Sequence, residues 1–300
     1  MKPKPRMLKA IKQGQHMLEQ AGITTARLDA QLLMCHLLQR PRSEMYIGDH
    51  PDITPDQYRR YMALVRERQE RKPLQYITQT QEFMGLNFRV VPGVLIPRPE
   101  TEILVERVIE IYKEYYGQGF VRIADIGTGS GAIALSLAKY IDRCRVWAVD
   151  VSRIALDIAR YNADVLGVGS KVEFISGHLL DALKAQDIGK WDIIVSNPPY
   201  IESDLIDSLA PEVSRYEPRQ ALDGGSDGLE FYRRIIGDCP DVLKGGGYLA
   251  LEIGYNQGPR VIGMMNKDFE DIRCFKDLAG HDRVVTGRLK NSVQWSEDRC

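Results

Sequence analysis

Apolar residues along the chain follow two different spacings, and the change of spacing marks a change of architecture. From Met7 to about Lys72 they recur at intervals of three and four, as in Leu8, Ile11, Met17 and Leu18 and again in Leu28, Leu32, Leu33, Leu37 and Leu38. That is the signature of one buried helical face. Thr54-Pro55 reads as an N-cap followed by proline at the first helical position, so a further helix runs through Tyr58, Met62 and Val65. Residues 1–72 are expected to form a small helical domain. Over 73–99 the chain is punctured by Gly85, Pro92, Gly93, Pro97 and Pro99, while Phe83, Phe88, Val90 and Val91 suit short strands. This predicts a hairpin-containing linker.

Over 100–300, apolar runs alternate with helical patterns. Strands are predicted at Val121–Ile126, Val146–Val149, Val172–Ser176 and Asp192–Ser196, and helices at Gly131–Tyr140 and Arg153–Leu166. A helix around Leu229–Cys239, a strand Tyr248–Ile253, a helix near Gln257–Asn266 and strands around Ile272–Lys276 and Arg283–Leu289 complete the series. Continuously apolar strands belong to a sheet covered on both faces. The expected class is therefore α/β, a Rossmann-like doubly wound and largely parallel sheet, with the small helical domain ahead of it.

Composition then narrows the class of function. At 300 residues and 44% hydrophobic content, the chain suits one catalytic domain of about 200 residues and a smaller partner. The net charge of −1 conceals a split. Residues 1–72 carry 14 Lys/Arg against 8 Asp/Glu, a net +6, and the remainder carries 26 against 33, a net −7. A solvated helical face is the commoner meaning of such a split, and an acidic or nucleic-acid partner for the first part is the other. Cys35, Cys144, Cys239, Cys274 and Cys300 include no C-x-x-C pair, and the five histidines show no ligand spacing, so no metal is expected. The start, Met-Lys-Pro-Lys-Pro-Arg, lacks a following apolar stretch, and no run approaches the ~20 apolar residues of a membrane span. A cytoplasmic protein with reduced thiols and no membrane partner is expected.

Candidate chemistry begins at Gly127, Thr128, Gly129, Ser130 and Gly131, which follow an apolar strand and open a helix. Glycines there permit a tight turn and let a ligand approach the backbone. Asp150 closes the next strand, about 20 residues on, where a carboxylate can accept from both hydroxyls of a ribose. Together they point to a cofactor containing a nucleoside. A nicotinamide dinucleotide fits the same loop, because Gly127, Gly129 and Ala132 satisfy the looser spacing of that fingerprint.

A second motif separates the two cofactors. The strand ending at Ser196 runs into Asn197-Pro198-Pro199-Tyr200, and strand ends in parallel sheets face the ligand crevice. Two prolines stiffen the backbone and remove two N–H donors, leaving carbonyl acceptors beside the Asn197 side-chain oxygen. Converging acceptors suit an NH2 group whose two hydrogens are held while its lone pair is aimed at an electrophilic methyl. The Tyr200 ring offers a face for a planar group. Hydride transfer needs no such tetrapeptide, so loop, acid and tetrapeptide together favour methyl transfer from S-adenosyl-L-methionine to a planar NH2-bearing nitrogen.

Over nearly its whole length the sequence resembles the release-factor glutamine-N5 methyltransferases, the HemK-type family. The resemblance rests on Pro73-Leu74-Gln75-Tyr76-Ile77, Glu82-Phe83-Met84-Gly85-Leu86, the segment Val94 to Glu102, the glycine loop and Asn197–Tyr200. It continues through Tyr216-Glu217-Pro218-Arg219, Ala221 to Gly225, Asp227-Gly228-Leu229, Glu252-Ile253-Gly254, Gln257-Gly258 and Asp277 to Arg283. It implies a helical substrate-recognition domain (1–72), a hairpin linker (73–99) and a class I methyltransferase domain (100–300). The implied substrate is the glutamine of the Gly-Gly-Gln motif in class 1 peptide chain release factors. By position, Gly127 to Gly131 would cradle the cofactor, Asp150 would hold its ribose, and Asn197 to Tyr200 would bind the glutamine side chain, with Asn197 also at the cofactor.

One stretch departs from the family pattern. Where such enzymes place an acidic residue near the adenine, this chain has Gly177-His178-Leu179. His178 could bond the adenine amino group through a neutral ring nitrogen and Leu179 could pack on the base, although a surface histidine is the equal alternative. Arg98 and Glu100 sit in a Pro-Arg-Pro turn that forces extended chain before a helix, and neither is expected to be catalytic. The competing function is adenine-N6 methylation of nucleic acid, whose exocyclic amine has the same two-donor geometry. The acidic catalytic part and the interruption of the basic stretch Arg59 to Lys72 by Glu67 and Glu70 argue against direct nucleic-acid binding.

Overall fold

The computed structural model describes residues 6–46, 52–186 and 189–291. The extreme N-terminal residues 1–5 and Cys300, both read above, lie outside them. The chain divides into two units, Met1–Thr80 with Leu209–Tyr216, and Gln81–Ser208 with Glu217–Cys300. The stretch expected as a linker is thus split between them. Leu74–Thr78 forms a short helix in the first unit, and the hairpin of β1 (Thr80–Phe83) and β2 (Leu86–Arg89) follows.

The first unit is helical, as its spacing predicts, with helices Met7–Gln20, Ala26–Leu38 and Pro55–Gln69. Thr54 caps the third with both halves of a capping box: its hydroxyl accepts from the Gln57 amide at 3.1 Å, and its own amide donates to the Gln57 side chain at 2.8 Å. Leu18, Leu33, Met34, Tyr61 and Val65 fill the core. A buried polar cluster interrupts it. Arg68 donates to Asp29 at 2.7 Å and to Glu212 at 3.0 Å, and Glu212 also receives Arg71 at 2.7 Å. Glu212 lies in the helical turn Pro211–Ser214, so a segment from the middle of the sequence completes the polar core of the N-terminal bundle.

The second unit is built on a seven-stranded sheet in the order β5-β4-β3-β6-β7-β9-β8. Here β3 is Val121–Ile126, β4 Cys144–Asp150, β5 Val172–Ser176, β6 Trp191–Ser196, β7 Leu243–Glu252, β8 Phe269–Lys276 and β9 Asp282–Leu289. Five strands are parallel, and β9 and β8 run antiparallel at one side. Alternate residues face opposite layers, which explains the continuous apolar runs. Ile123, Ile193 and Val195 pack with Leu104, Val108 and Leu135, whereas Ala124, Ile126 and Ile194 pack with Tyr232, Ile235 and Ile236. The strand expected from Tyr248 begins at Leu243. The register of β7 against β6 jumps between Trp191↔Leu243 and Ile193↔Tyr248, and the glycine run 245–247 is taken up in this bulge.

Strand order reverses between β3 and β6, since the chain steps from β3 to β4 and β5 on one side and to β6 and β7 on the other. Register brings their ends level. Ile126 pairs with Ser196, Ser196 with Leu251, and Asp150 with Ser176. The glycine loop, Asp150, the Gly177 turn, Asn197 and Glu252 therefore leave the sheet along one edge, at the switch point where open α/β sheets bind ligands.

Candidate active site

A cleft opens at that edge, wholly within the second unit. Gly127, Thr128, Gly129, Ser130, Asp150, His178, Leu179, Asn197 and Pro199 line it, together with Arg98, Thr101 and Phe231. Gly131, Pro198 and Tyr200 of the expected set do not line it. Gly131 opens the helix Ala132–Tyr140, Pro198 is buried, and Tyr200 is turned toward Glu252.

The loop owes its shape to positive φ angles of 76° at Gly127, 57° at Gly129 and 83° at Gly131, the region that other residues avoid. A side-chain carbon added to Gly127 or Gly129 would meet nothing within 4 Å, so bare backbone faces the cleft. Behind the loop, the fully buried Asp125 accepts from the Thr128 hydroxyl at 2.6 Å and the Ala134 amide at 3.1 Å. Burial pushes its carboxyl up to about 7 against those two hydrogen bonds. Asn162 braces the same loop from the helix Arg153–Leu166, donating to the Ser130 carbonyl at 2.9 Å while its oxygen takes the Arg89 amide at 2.8 Å. A polar residue on the apolar face of that helix, beside Ala155, Ala159 and Ala163, was the available sign of this role.

Asp150 is half-buried at the tip of β4. Its two oxygens each accept one backbone amide, Gly129 and Ser152, both at 2.8 Å. Burial raises its pKa, and the amides oppose the rise. Each oxygen keeps a lone pair for a second donor, as a ribose diol requires. His178 is exposed, with Arg234 3.2 Å from its Nδ1. A guanidinium can only donate, so Nδ1 accepts and the ring proton sits on Nε2, which leaves that nitrogen as a donor rather than an acceptor.

At the tetrapeptide, Ser196 ties β6 to β3 by donating to the Ile126 carbonyl at 2.7 Å. Asn197 donates through Nδ2 to the Thr101 hydroxyl at 3.2 Å, and among the described residues its side-chain oxygen meets no donor at the cleft. The Tyr200 hydroxyl lies 3.5 Å from Glu252, and the Tyr200 carbonyl accepts from Gln257 at 3.0 Å. Burial lifts the Tyr200 phenol well above its ordinary range. Arg98, at the rim, is paired with the buried Glu217, whose carboxyl burial raises despite that guanidinium. This pair fixes the extended chain between Pro97 and Pro99.

A doubly wound sheet carrying an open glycine loop, a diol-ready carboxylate and an acceptor-rich tetrapeptide on one edge, with bare backbone where a nucleoside must approach, defines a class I S-adenosylmethionine-dependent methyltransferase. Comparison with known proteins agrees. Residues 9–78 match the PrmC N-terminal domain and residues 101–212 the methyltransferase small domain. The release factor glutamine methyltransferase of Geobacter sulfurreducens is 41% identical over 91% of this chain and 93% of that protein. The one of Clostridium botulinum is 39% identical over 92% and 96%. Among solved structures, the hMettl16 catalytic domain in complex with MAT2A 3'UTR hairpin 1 superposes with a TM-score of 0.55 at 15% identity, covering 80% of this chain and 82% of that one, a likeness of fold alone. The chain belongs to the release factor glutamine methyltransferase family.

Proposed function

We propose that this chain methylates the side-chain amide nitrogen, N5, of the glutamine in the Gly-Gly-Gln motif of class 1 peptide chain release factors, in the cytoplasm where those factors act. The observation that carries the reading is the Asn197 side chain. It is anchored through its NH2 and presents its oxygen to the cleft beside the Pro199 wall. That oxygen and a proline carbonyl receive the two amide hydrogens of the substrate. An amide nitrogen is a weak nucleophile, so orientation is the main lever. The bound cofactor supplies the electrophilic methyl. Gly127 to Gly131 cradle it, Asp150 holds the ribose diol, Leu179 packs on the adenine, and His178 donates through Nε2 to an adenine ring nitrogen.

The test is incubation with radiolabelled S-adenosylmethionine and, in parallel, purified release factor, its Gly-Gly-Ala variant, and duplex and single-stranded DNA. Label on the release factor that disappears in the Gly-Gly-Ala variant is the expected result. Label on DNA alone overturns the reading in favour of an exocyclic-amine methyltransferase.

A further inference from the structure

Two family-like blocks, Glu252-Ile253-Gly254 with Gln257-Gly258 and Asp277 to Arg283, take no part in the roles proposed so far, and the fold brings them together beside the tetrapeptide. The first forms the turn after β7. There the Gln257 side chain accepts the Gly254 amide at 2.9 Å and donates to the Tyr200 carbonyl at 3.0 Å. The second is the hairpin between β8 and β9. It meets the first where the Ile253 amide donates to the Arg283 carbonyl at 2.8 Å, and a side-chain carbon added to Gly258 would stand 2.6 Å from the Asp282 carboxylate. The hairpin tip is tied to itself by hydrogen bonds. Asp277 accepts the Ala279 amide at 3.0 Å, the His281 amide at 2.9 Å and the Arg283 guanidinium at 2.9 Å. Its own amide donates to the His281 carbonyl at 2.8 Å, and Lys276 donates to the Gly280 carbonyl at 3.0 Å. This framework holds apolar groups out in solvent. Leu278 is fully exposed, and Tyr255 is 65% exposed with its ring centroid 5.8 Å from that of His281.

We infer that Leu278 and Tyr255 form a docking surface for the protein substrate, touching the release factor's chain on one side of its Gly-Gly-Gln motif. The inference rests on the release-factor reading and adds where more of that substrate lies. Single apolar residues scattered over a surface need no explanation. These two are joined to the substrate site by an unbroken series of contacts, from Tyr200 through Gln257 and Tyr255 to His281 and the turn that carries Leu278. Distance fits as well. Neighbouring strands lie about 4.8 Å apart and β9 is second from β6, so the tip stands roughly 10–15 Å from the tetrapeptide. An extended chain covers that span in three or four residues at ~3.4 Å each. A glutamine held at Asn197 thus sets residues that far from it in sequence over the tip. The turn is ordered before docking, so little conformational freedom is lost when the leucine and tyrosine are covered. A contact so remote from the reacting methyl binds ground state and transition state alike, and acts on KM rather than kcat.

The experiment measures kcat and KM for intact release factor, and the cofactor Kd, in the native enzyme, in Leu278→Asp, in the double variant Leu278→Ser with Tyr255→Ser, and in Phe120→Ser. Phe120 is the control, because it is 57% exposed and precedes β3, at the opposite end of the strands. The double variant should raise KM roughly tenfold or more and Leu278→Asp roughly fivefold, with kcat and Kd within about twofold of native. Phe120→Ser should leave all three within about twofold. A KM near native in the double variant, or an equal rise in Phe120→Ser, overturns the inference. A native dimer in sedimentation that Leu278→Asp makes monomeric gives the patch to a second copy of the chain and overturns it too. A native enzyme that leaves the release factor unlabelled overturns instead the substrate reading on which the inference rests.

Discussion

Asp150 carries two backbone amides already, so its place in the cleft is fixed before any ligand arrives. Asp150→Ala is expected to weaken cofactor affinity by roughly 1.5–3 kcal/mol, the worth of hydrogen bonds to a charged acceptor, with kcat at saturation little changed. Calorimetric titration reads the first and single-turnover transfer the second. Glu252 makes a different prediction, about stability. Burial holds its carboxyl at about 7 in the fold, against about 4.3 in an unfolded chain. Between those values the folded protein binds the extra proton, so the Glu252 contribution to stability is present at low pH and lost as pH rises toward 7. Glu252→Gln should therefore raise the Tm at pH 8 and leave it nearly unchanged at pH 4.5. A lower Tm at pH 8 would contradict the assignment. Some of these side chains were legible in the sequence and others were not. Gly127, Asp150 and Asn197 declare themselves by local context, a strand end followed by glycine, acid or proline. Thr101, Glu217 and Glu252 do not, because their partners lie 96, 119 and 52 residues away in the chain, at Asn197, Arg98 and Tyr200.

Among elements, those with clear stop signals at their ends were the easiest to read. The strands Val121–Ile126 and Val172–Ser176 and the helix Arg153–Leu166 have the ends that their patterns predict, with Gly127, Lys171, Gly177, Ser152 and Gly167 standing just outside them. The beginning of β7 was not legible, because Gly245–Gly247 reads as a turn and only the neighbouring β6 draws it into the sheet. The first helix, Met7–Gln20, shows propensity and packing pulling in opposite directions. Gly14 lies in its interior, where alanine would ordinarily add up to about 1 kcal/mol. A methyl there would stand 2.4 Å from the Tyr61 hydroxyl, and that fully buried ring is held by its bond to the Ala30 carbonyl. Gly14→Ala should accordingly destabilise the helical unit by roughly 1–3 kcal/mol, the usual range for overpacking. Urea unfolding measures it, and a gain in stability would mean that Tyr61 moves aside freely.

On the scale of the molecule, the division into a helical unit and a sheet unit follows from the change of period. The membership of Leu209–Tyr216 does not, because four residues of helical turn carry too little pattern to show which core they join. Glu212 betrays its place only through Arg68 and Arg71. Burial raises its carboxyl, and the hydrogen bonds from those arginines outweigh burial and leave it below its ordinary value. Its stabilising contribution is therefore present above about pH 4.5 and lost on further acidification. Glu212→Gln should cost about 1–3 kcal/mol at pH 7 and much less at pH 3.5, as thermal unfolding at the two pH values would reveal.

The same excursion gives this protein a timetable. Arg71 precedes Glu212 by 141 residues. A ribosome adding ~5–20 residues per second delivers the carboxylate roughly 7–28 s after the arginine that awaits it. Throughout that interval the acid shared by Arg68 and Arg71 is not yet made, and Asp29 is the one acid partner of Arg68 already in the chain. The N-terminal helices thus reach their final polar core only after four of the seven strands of the sheet have been synthesised, so completion of the first unit waits on part of the second.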